Sequence, residues 1–396
     1  MRQTLSAALA AALIATPALA DSWQDTLDAA GGQTVYWNAW GGDERTNAFI
    51  AWVSEQTTDL YGVSVRQVKL TDTAEAVTRV ISEKAAGKDA GGSVDMIWIN
   101  GPNFLSMKEQ GLLHGPFVAN LPNSKYLDLS GNSPNSVDFT VPVDGMESPW
   151  RLAKFVFNHD SARVETPPAS MAGFVDWAAD NPGRFTHPDP SNFMGATFLK
   201  QALIELTPNA AVLQEPVTDA NFDAATAPLW DWYDALRPNL WRGGEAFPEN
   251  QSVQDRLLND GEIDIAMSFD PASTAGGIAA GLLPETTRVF VPENGTIGNV
   301  SFVAIPYNAA NLEGAMVVAN FLLAPETQAH MQNIEVLGSY SVLDPAKLDE
   351  ASRAAFDALP TAPALPELDA LGPTLLEPHA SWMARLTAEW AERYTK

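Results

Sequence analysis

The stretch TVYWNAWGGDERTNAFIAWVSEQTTDLYG, residues 34–62, decides the fold class. Its first seven residues are rich in aromatic and branched side chains and read as a strand. The strand stops at Gly41-Gly42-Asp43. A helical pattern follows, with Phe49, Trp52, Val53 and Leu60 on one side and Gly62 just past the end. Val63–Leu70 then alternates in strand fashion. Asp72 and Glu75 form a capping box that opens a helix burying Val77, Val80 and Ile81 and stopping at Gly87. Val94–Ile99 (VDMIWI) is a third strand. Asn100-Gly101-Pro102-Asn103 turns the chain, and Pro102 suits the first turn of a helix running to Gly111. This rhythm predicts βαβ units, a largely parallel sheet and an α/β fold.

Outward from that stretch the pattern loosens. Leu121–Pro149 is rich in Pro, Asn, Ser and Gly and reads as loop with short strands such as Phe139–Val143. Helices are expected at Ala169–Asp180, Phe193–Leu206, Phe222–Leu236 and Ser252–Asp260, and short strands at Ile263–Met267, Arg288–Val291 and Ser301–Ile305. Asn311–Leu323 and Pro325–Gln332 read as paired helices. The tail from Asp349 reads as helix broken by prolines.

The N-terminus sets the compartment. Arg2, an apolar run over Leu5–Leu19 and the small-residue pattern Ala18-Leu19-Ala20 read as an export signal over residues 1–20. The run is short for a spanning helix and Pro17 interrupts it. No later stretch is apolar for long enough to span, so a soluble, periplasmic protein that is not membrane-embedded is expected. There is no cysteine, which excludes disulfides, thiolate metal sites, a Cys nucleophile and a lipidated anchor. With 49 acidic against 23 basic residues, the formal charge of −26 argues against nucleic acid as a partner. It is compatible with a cationic ligand, although solubility alone explains it. The length exceeds one ordinary core, so two lobes are expected.

Catalytic motifs are missing. The five histidines (His114, His159, His187, His330, His379) have no metal-ligand spacing, and no nucleophile elbow, Walker loop or dinucleotide fingerprint occurs. A hydrolase using an unrecognised carboxylate pair is the alternative reading. Three strand-end turns carry flat and polar side chains instead: Trp40-Gly41-Gly42-Asp43, Asn100-Gly101-Pro102-Asn103-Phe104 and Ser268-Phe269-Asp270. Ligands of open α/β sheets sit beyond the carboxyl ends of strands, where glycine lets backbone approach and Trp or Phe offers an apolar face. Each turn alone reads rather as ordinary turn chemistry; three together point to a binding cleft. A flat cation would need an aromatic face and a carboxylate. Trp40 with Asp43, Trp150, and Phe269 with Asp270 could supply them.

Several segments together resemble the type II extracellular solute-binding proteins of ABC importers. They are VYWNAWGGDERTNAFIAWV (35–53), VDMIWINGPNFLSMKEQGLL (94–113), FVFNHDSA (155–162), GEIDIAMSFDPA (261–272) and NVSFVAIPYNAANLEGAMVVANFLLAPETQAHM (299–331). Within them the chain is most similar to the binding component of the Ynj-type importer, to which thiamine transport is ascribed. The resemblance implies a periplasmic-binding-protein type II fold, with two lobes of mixed, mostly parallel sheet around a hinged cleft. Lobe one would span 21–147 and 300–396, and lobe two 148–299, with the turn at 155–162 as the crossing between them. It also implies solute capture by hinge closure, no catalysis, no cofactor, a monomer, and permease subunits as partners with the ATPase reached indirectly. Asn299, at the start of the returning strand, joins the candidate ligand contacts. Iron-binding relatives use clustered tyrosines; seven tyrosines with no adjacent pair argue against iron here.

Overall fold

The computed structural model describes residues 19–131, 133–366 and 368–395. The expected export signal therefore lies almost wholly outside the described residues. In chain order the strands are β1 (Thr34–Trp40), β2 (Ser64–Leu70), β3 (Met96–Ile99), β4 (Val137–Asp138), β5 (Val141–Pro142) and β6 (Glu147–Lys154). There follow β7 (Val156–Asp160), β8 (Ile265–Ser268), β9 (Thr287–Phe290), β10 (Thr296–Ala304) and β11 (Thr374–Leu375).

The first sheet runs in the order β11-β10-β3-β1-β2, with β6 on the other side of β10. β1 lies parallel to β2 from Thr34–Ser64 to Trp40–Leu70, and parallel to β3. Parallel strands need crossovers, and the helix Glu44–Tyr61 provides one. Asp43 caps its start by accepting from the backbone N–H groups of Arg45 and Thr46, and Gly62 ends it at φ 68°. Phe49 and Val53 are buried as the pattern predicts, but Leu60 is 60% exposed. At the next helix Glu75 Oε1 accepts from the N–H groups of Thr71 and Asp72, and Asp72 Oδ1 accepts from that of Ala74. The helix Pro102–Glu109 starts at its proline after Gly101, whose φ of 57° suits glycine. A Cβ at Gly101 would also fall 2.4 Å from the Phe139 ring.

Parallel pairing, as expected, joins β2-β1-β3 and also β10-β11. β10 runs antiparallel to both β3 and β6, since it is the strand by which the chain returns. The second sheet, β8-β7-β9, is antiparallel throughout. Its middle strand β7 covers most of the 155–162 segment expected as a turn, and all five of its residues are buried. The chain leaves the first sheet after Lys154 and rejoins it at Thr296, so β6 and β10 pair in the first sheet although the sequence reading placed 148–299 in lobe two.

Two main cores follow the two sheets. The first gathers Trp37, Phe49, Val53, Ile97, Trp150, Phe302 and Val318; the second gathers Phe157, Phe174, Phe185, Phe198, Leu203 and Tyr233. The C-terminal helix Ser381–Tyr394 packs Trp382, Leu386 and Trp390 into the second core. Assigning all of 300–396 to lobe one was therefore wrong for this helix. Its apolar residues at i, i+4 and i+8 form one stripe, and that stripe meets helices Phe193–Leu206 and Asp219–Leu236. Among the described residues no helix is long and apolar enough to cross a membrane.

Candidate ligand-binding site

A cavity of about 380 Å³ lies between the two sheets. The first sheet brings the ends of β1, β2 and β3 to it, as Trp40, Thr71–Thr73 and Asn100, together with Arg151 of β6 and Asn299 and Ser301 of β10. The second lobe brings Phe269 and Asp270 past the end of β8, and Asn192, Phe193 and Asn250 from two helix starts. Met383, Ala384 and Thr387 of the C-terminal helix complete the wall. At the rim, Ser252 Oγ donates to the carbonyl of Gly42 at 3.3 Å, so the lips of the two lobes touch.

Six of the expected contacts line this cavity: Trp40, Asn100, Asn103, Phe269, Asp270 and Asn299. The other seven do not. Trp150 is wholly buried, edge-on to Trp37 at 5.7 Å and Trp98 at 5.2 Å, because alternation along β6 turns it into the first core. Phe104 faces the same core from the inner side of its helix. Ser268 is buried and locks its own turn, its Oγ accepting from Asp270 N–H at 3.0 Å. Asp43 is consumed as a helix cap, taking Thr46 Oγ–H at 2.6 Å as well as two backbone N–H groups. Gly41, Gly42 and Gly101 support rather than contact. A Cβ at Gly42 would meet the Trp40 indole at 2.4 Å, and Gly101 N–H donates to Asp138 Oδ2.

Charge in the cavity is largely committed. The Arg151 guanidinium lies over the Trp98 ring at 4.6 Å, with Nη1 3.9 Å from Asp270 Oδ2. Burial lowers the Arg151 pKa and raises that of Asp270, and the attraction between them opposes both shifts. Asp270 also accepts from Ser339 Oγ and from the N–H of Ala272. The expected pairing of Phe269 with a free Asp270 carboxylate is thus corrected, since that carboxylate already has its cation.

Behind the cavity floor sits a second polar layer. Asn299 Nδ2 donates to Glu377 Oε1 at 3.1 Å, and Glu377 Oε2 meets Lys200 Nζ at 2.6 Å in a pair with side chains only 1–2% exposed. Asn100 Nδ2 donates to Asp138 Oδ1 at 3.2 Å and to the carbonyl of Val300 at 2.8 Å. Burial pushes the Asp138 carboxyl up to about 7 against the pull of Asn100 and Gly101.

Sequence reasoning missed Trp98, Arg151, Asn192 and Asn250. Thr71-Asp72-Thr73 follows β2 just as the chosen turns follow their strands, so the same rule would have found it. Asn192 and Asn250 each precede a helix, which marks them as caps and hides their free ends. Nothing in the sequence pattern places the C-terminal helix at this wall.

The sequence profile of the family described as bacterial extracellular solute-binding protein matches residues 51–358. Protein YnjB of Escherichia coli (strain K12) is 42% identical over 375 residues, covering 95% of this chain and 94% of that protein. Among solved structures, the periplasmic binding protein AfuA from Actinobacillus pleuropneumoniae, with exogenous fructose-6-phosphate bound, is similar at a TM-score of 0.64 and 14% identity. The match covers 92% of this chain and 99% of that one. Iron-bound HitA from Pseudomonas aeruginosa is similar at a TM-score of 0.61 and 17% identity, over 90% of this chain and 98% of that one. At these identities the two structures bear on the fold alone, which is the two-lobe type II arrangement built above. A profile matched over most of the chain, together with a relative this similar over nearly its whole length, decides the family: the chain belongs to the bacterial extracellular solute-binding proteins.

Proposed function

We propose that this chain traps one small, flat solute, uncharged or cationic, in the interlobe cavity by hinge closure, in the periplasm, and presents it unaltered to the permease subunits of an ABC importer. One observation carries the reading. The cavity takes walls from both sheets and an aromatic face from each, Trp40 from the first and Phe193 and Phe269 from the second. A ligand touching both lobes stabilises the closed arrangement relative to the open one, and a closed form is what a permease can distinguish. Thiamine fits the general description of a flat cation and is one candidate.

A thermal-shift screen of the purified protein against vitamins, polyamines, amino acids and sugars tests this. A captured solute at about 100 times its Kd adds about 2.7 kcal/mol, which raises the melting temperature by several degrees at roughly 2–4 °C per kcal/mol. The hit should be recovered chemically unchanged after prolonged incubation. No shift with any solute class, or conversion of the solute to product, contradicts the reading. A shift with another class but not with thiamine removes thiamine alone.

A further inference from the structure

The amide groups facing the cavity are not free to turn either way. An amide end beside an acceptor-only group must be its NH₂, and an end that accepts a backbone N–H must be its carbonyl. Asn299 puts its NH₂ on Glu377, and Asn100 puts its NH₂ on the Val300 carbonyl, an acceptor at any pH, and beside Asp138. Both therefore turn carbonyl oxygens away from the buried layer, on the side that lines the cavity. The second lobe is wired in the opposite sense. Asn192 Oδ1 accepts from the N–H of Met194, and Asn250 Oδ1 accepts from that of Val253, each capping a helix. Their free ends are NH₂ donors. The asparagines of the first sheet thus present acceptors to the cavity, and those of the second lobe present donors.

Charge adds a second constraint. The lining holds two carboxylates, Asp72 and Asp270, and among the described residues one cation, Arg151, which is already paired with Asp270. An anionic solute would enter a site with excess negative charge and no unpaired cation to receive it.

We infer that the cleft selects a solute bearing N–H donors and no net negative charge, its donors on the carbonyls of Asn100 and Asn299 and its acceptors toward Asn192 and Asn250. This rests on the capture reading and deepens it. Glu377 and Asp138 are then positioning residues: they touch no solute but fix which end of each asparagine the solute meets. Lys200 Nζ, 2.6 Å from Glu377 Oε2, opposes the upward pull of burial on that carboxyl and favours its acceptor form.

The test is a thermal-shift and titration-calorimetry comparison on the full chain with three pools of similar size: primary amines and amides without an acid group, sugar phosphates, and dicarboxylates. Binding is expected in the first pool. For any amine that binds, the N,N,N-trimethylammonium analogue, and for any amide the N,N-dimethyl amide, keeps the skeleton and charge without the N–H donor and should bind at least about tenfold more weakly, equivalent to about 1.4 kcal/mol. Asn299→Leu keeps the branching at Cγ but removes the acceptor, and should shrink that difference to less than about threefold. The comparison with the fully methylated analogue on the unaltered chain decides the matter even if Asn299→Leu does not fold. Binding confined to phosphates or dicarboxylates, or equal binding of the capped and uncapped amines, overturns the inference and leaves capture standing. No binding in any pool overturns the inference, and no shift in the wider solute screen either overturns capture with it.

Discussion

The two faces of the cleft reach the same end by different constructions. The first face grows from parallel strands whose carboxyl ends converge, and its asparagines are tethered from behind by the buried groups Asp138 and Glu377. The second face grows from a small antiparallel sheet with one strand end at the cavity, so helix starts and aromatic rings supply the rest. A parallel sheet delivers several turns to one edge at once, whereas an antiparallel one alternates them between edges. A short antiparallel sheet must therefore borrow contacts from its helices, and here it borrows also from the far C-terminal helix.

That difference can be broken first at its clearest point, the division between core and cleft tryptophans. Trp150→Ala should cost about 3–5 kcal/mol of stability, as expected for a large buried aromatic, measured as a lower urea midpoint. Trp40→Ala should stay within about 1 kcal/mol and weaken solute binding instead. The reverse pattern would return Trp150 to the cleft.

The buried pair behind the first face comes next. Lys200→Met leaves Glu377 without its cation and should cost about 3 kcal/mol, as removal of one partner of a buried pair does. Lys200→Met with Glu377→Leu should recover most of that loss in the same denaturation assay. If the single change is silent, the tether is not ionic.

The faces should also part company in pH. Asp138, behind the first face, has its carboxyl raised by burial to about 7, above its unfolded value, so the folded state holds a proton the unfolded chain releases. Its contribution is most favourable below the ordinary carboxylate range and is lost as pH rises towards 7. His187, in the second core, is lowered by burial to about 4, with its ring between Phe198 and Phe247 and its Nε2 2.9 Å from the Tyr233 hydroxyl. Its contribution is present above the ordinary histidine range and is lost as pH falls towards 4. Relative to the unaltered chain, Asp138→Asn should gain stability between pH 5 and 7, by up to about 1.4 kcal/mol per pH unit. His187→Phe should gain it as pH falls from about 6 to 4.5. Parallel slopes for both variants would remove the distinction. The smallest effect is expected at the lips: Ser252→Ala removes one exposed hydrogen bond to Gly42 and should change stability by less than about 0.5 kcal/mol. It should raise the solute off-rate only about twofold, read by stopped-flow fluorescence.

The first face was far more legible in the sequence than the second. β1 falls on the quoted aromatic run and the helix at Pro102 starts at its proline, because hydrophobic period and local turn chemistry act over a few residues. Helices Phe193–Leu206 and Pro325–Gln332 were legible for the same reason. β6 and β7 were not, since their ladders are closed by β10, β8 and β9 more than 100 residues away and their flanks look like loop. The site divides likewise. Strand-end position identified Trp40, Asn100 and Phe269, but which way a side chain faces is set by pleat and packing, and that misplaced Trp150 and Phe104. Asp43 and Asp270 carry the right chemistry for a cationic ligand yet are spent on a helix cap and on Arg151.

Closure of these two faces on a solute is the central claim, and one distance measures it. The chain has no cysteine, so spin labels at Glu55→Cys and Asp223→Cys, exposed positions on helices Glu44–Tyr61 and Asp219–Leu236, report on one lobe each. Pulsed electron–electron resonance should show the interlabel distribution collapse to a single shorter distance when the solute found in the thermal screen is added. It should stay broad when Trp40→Ala or Phe269→Ala is introduced at the same solute concentration. An unchanged distribution with solute bound would contradict capture by closure.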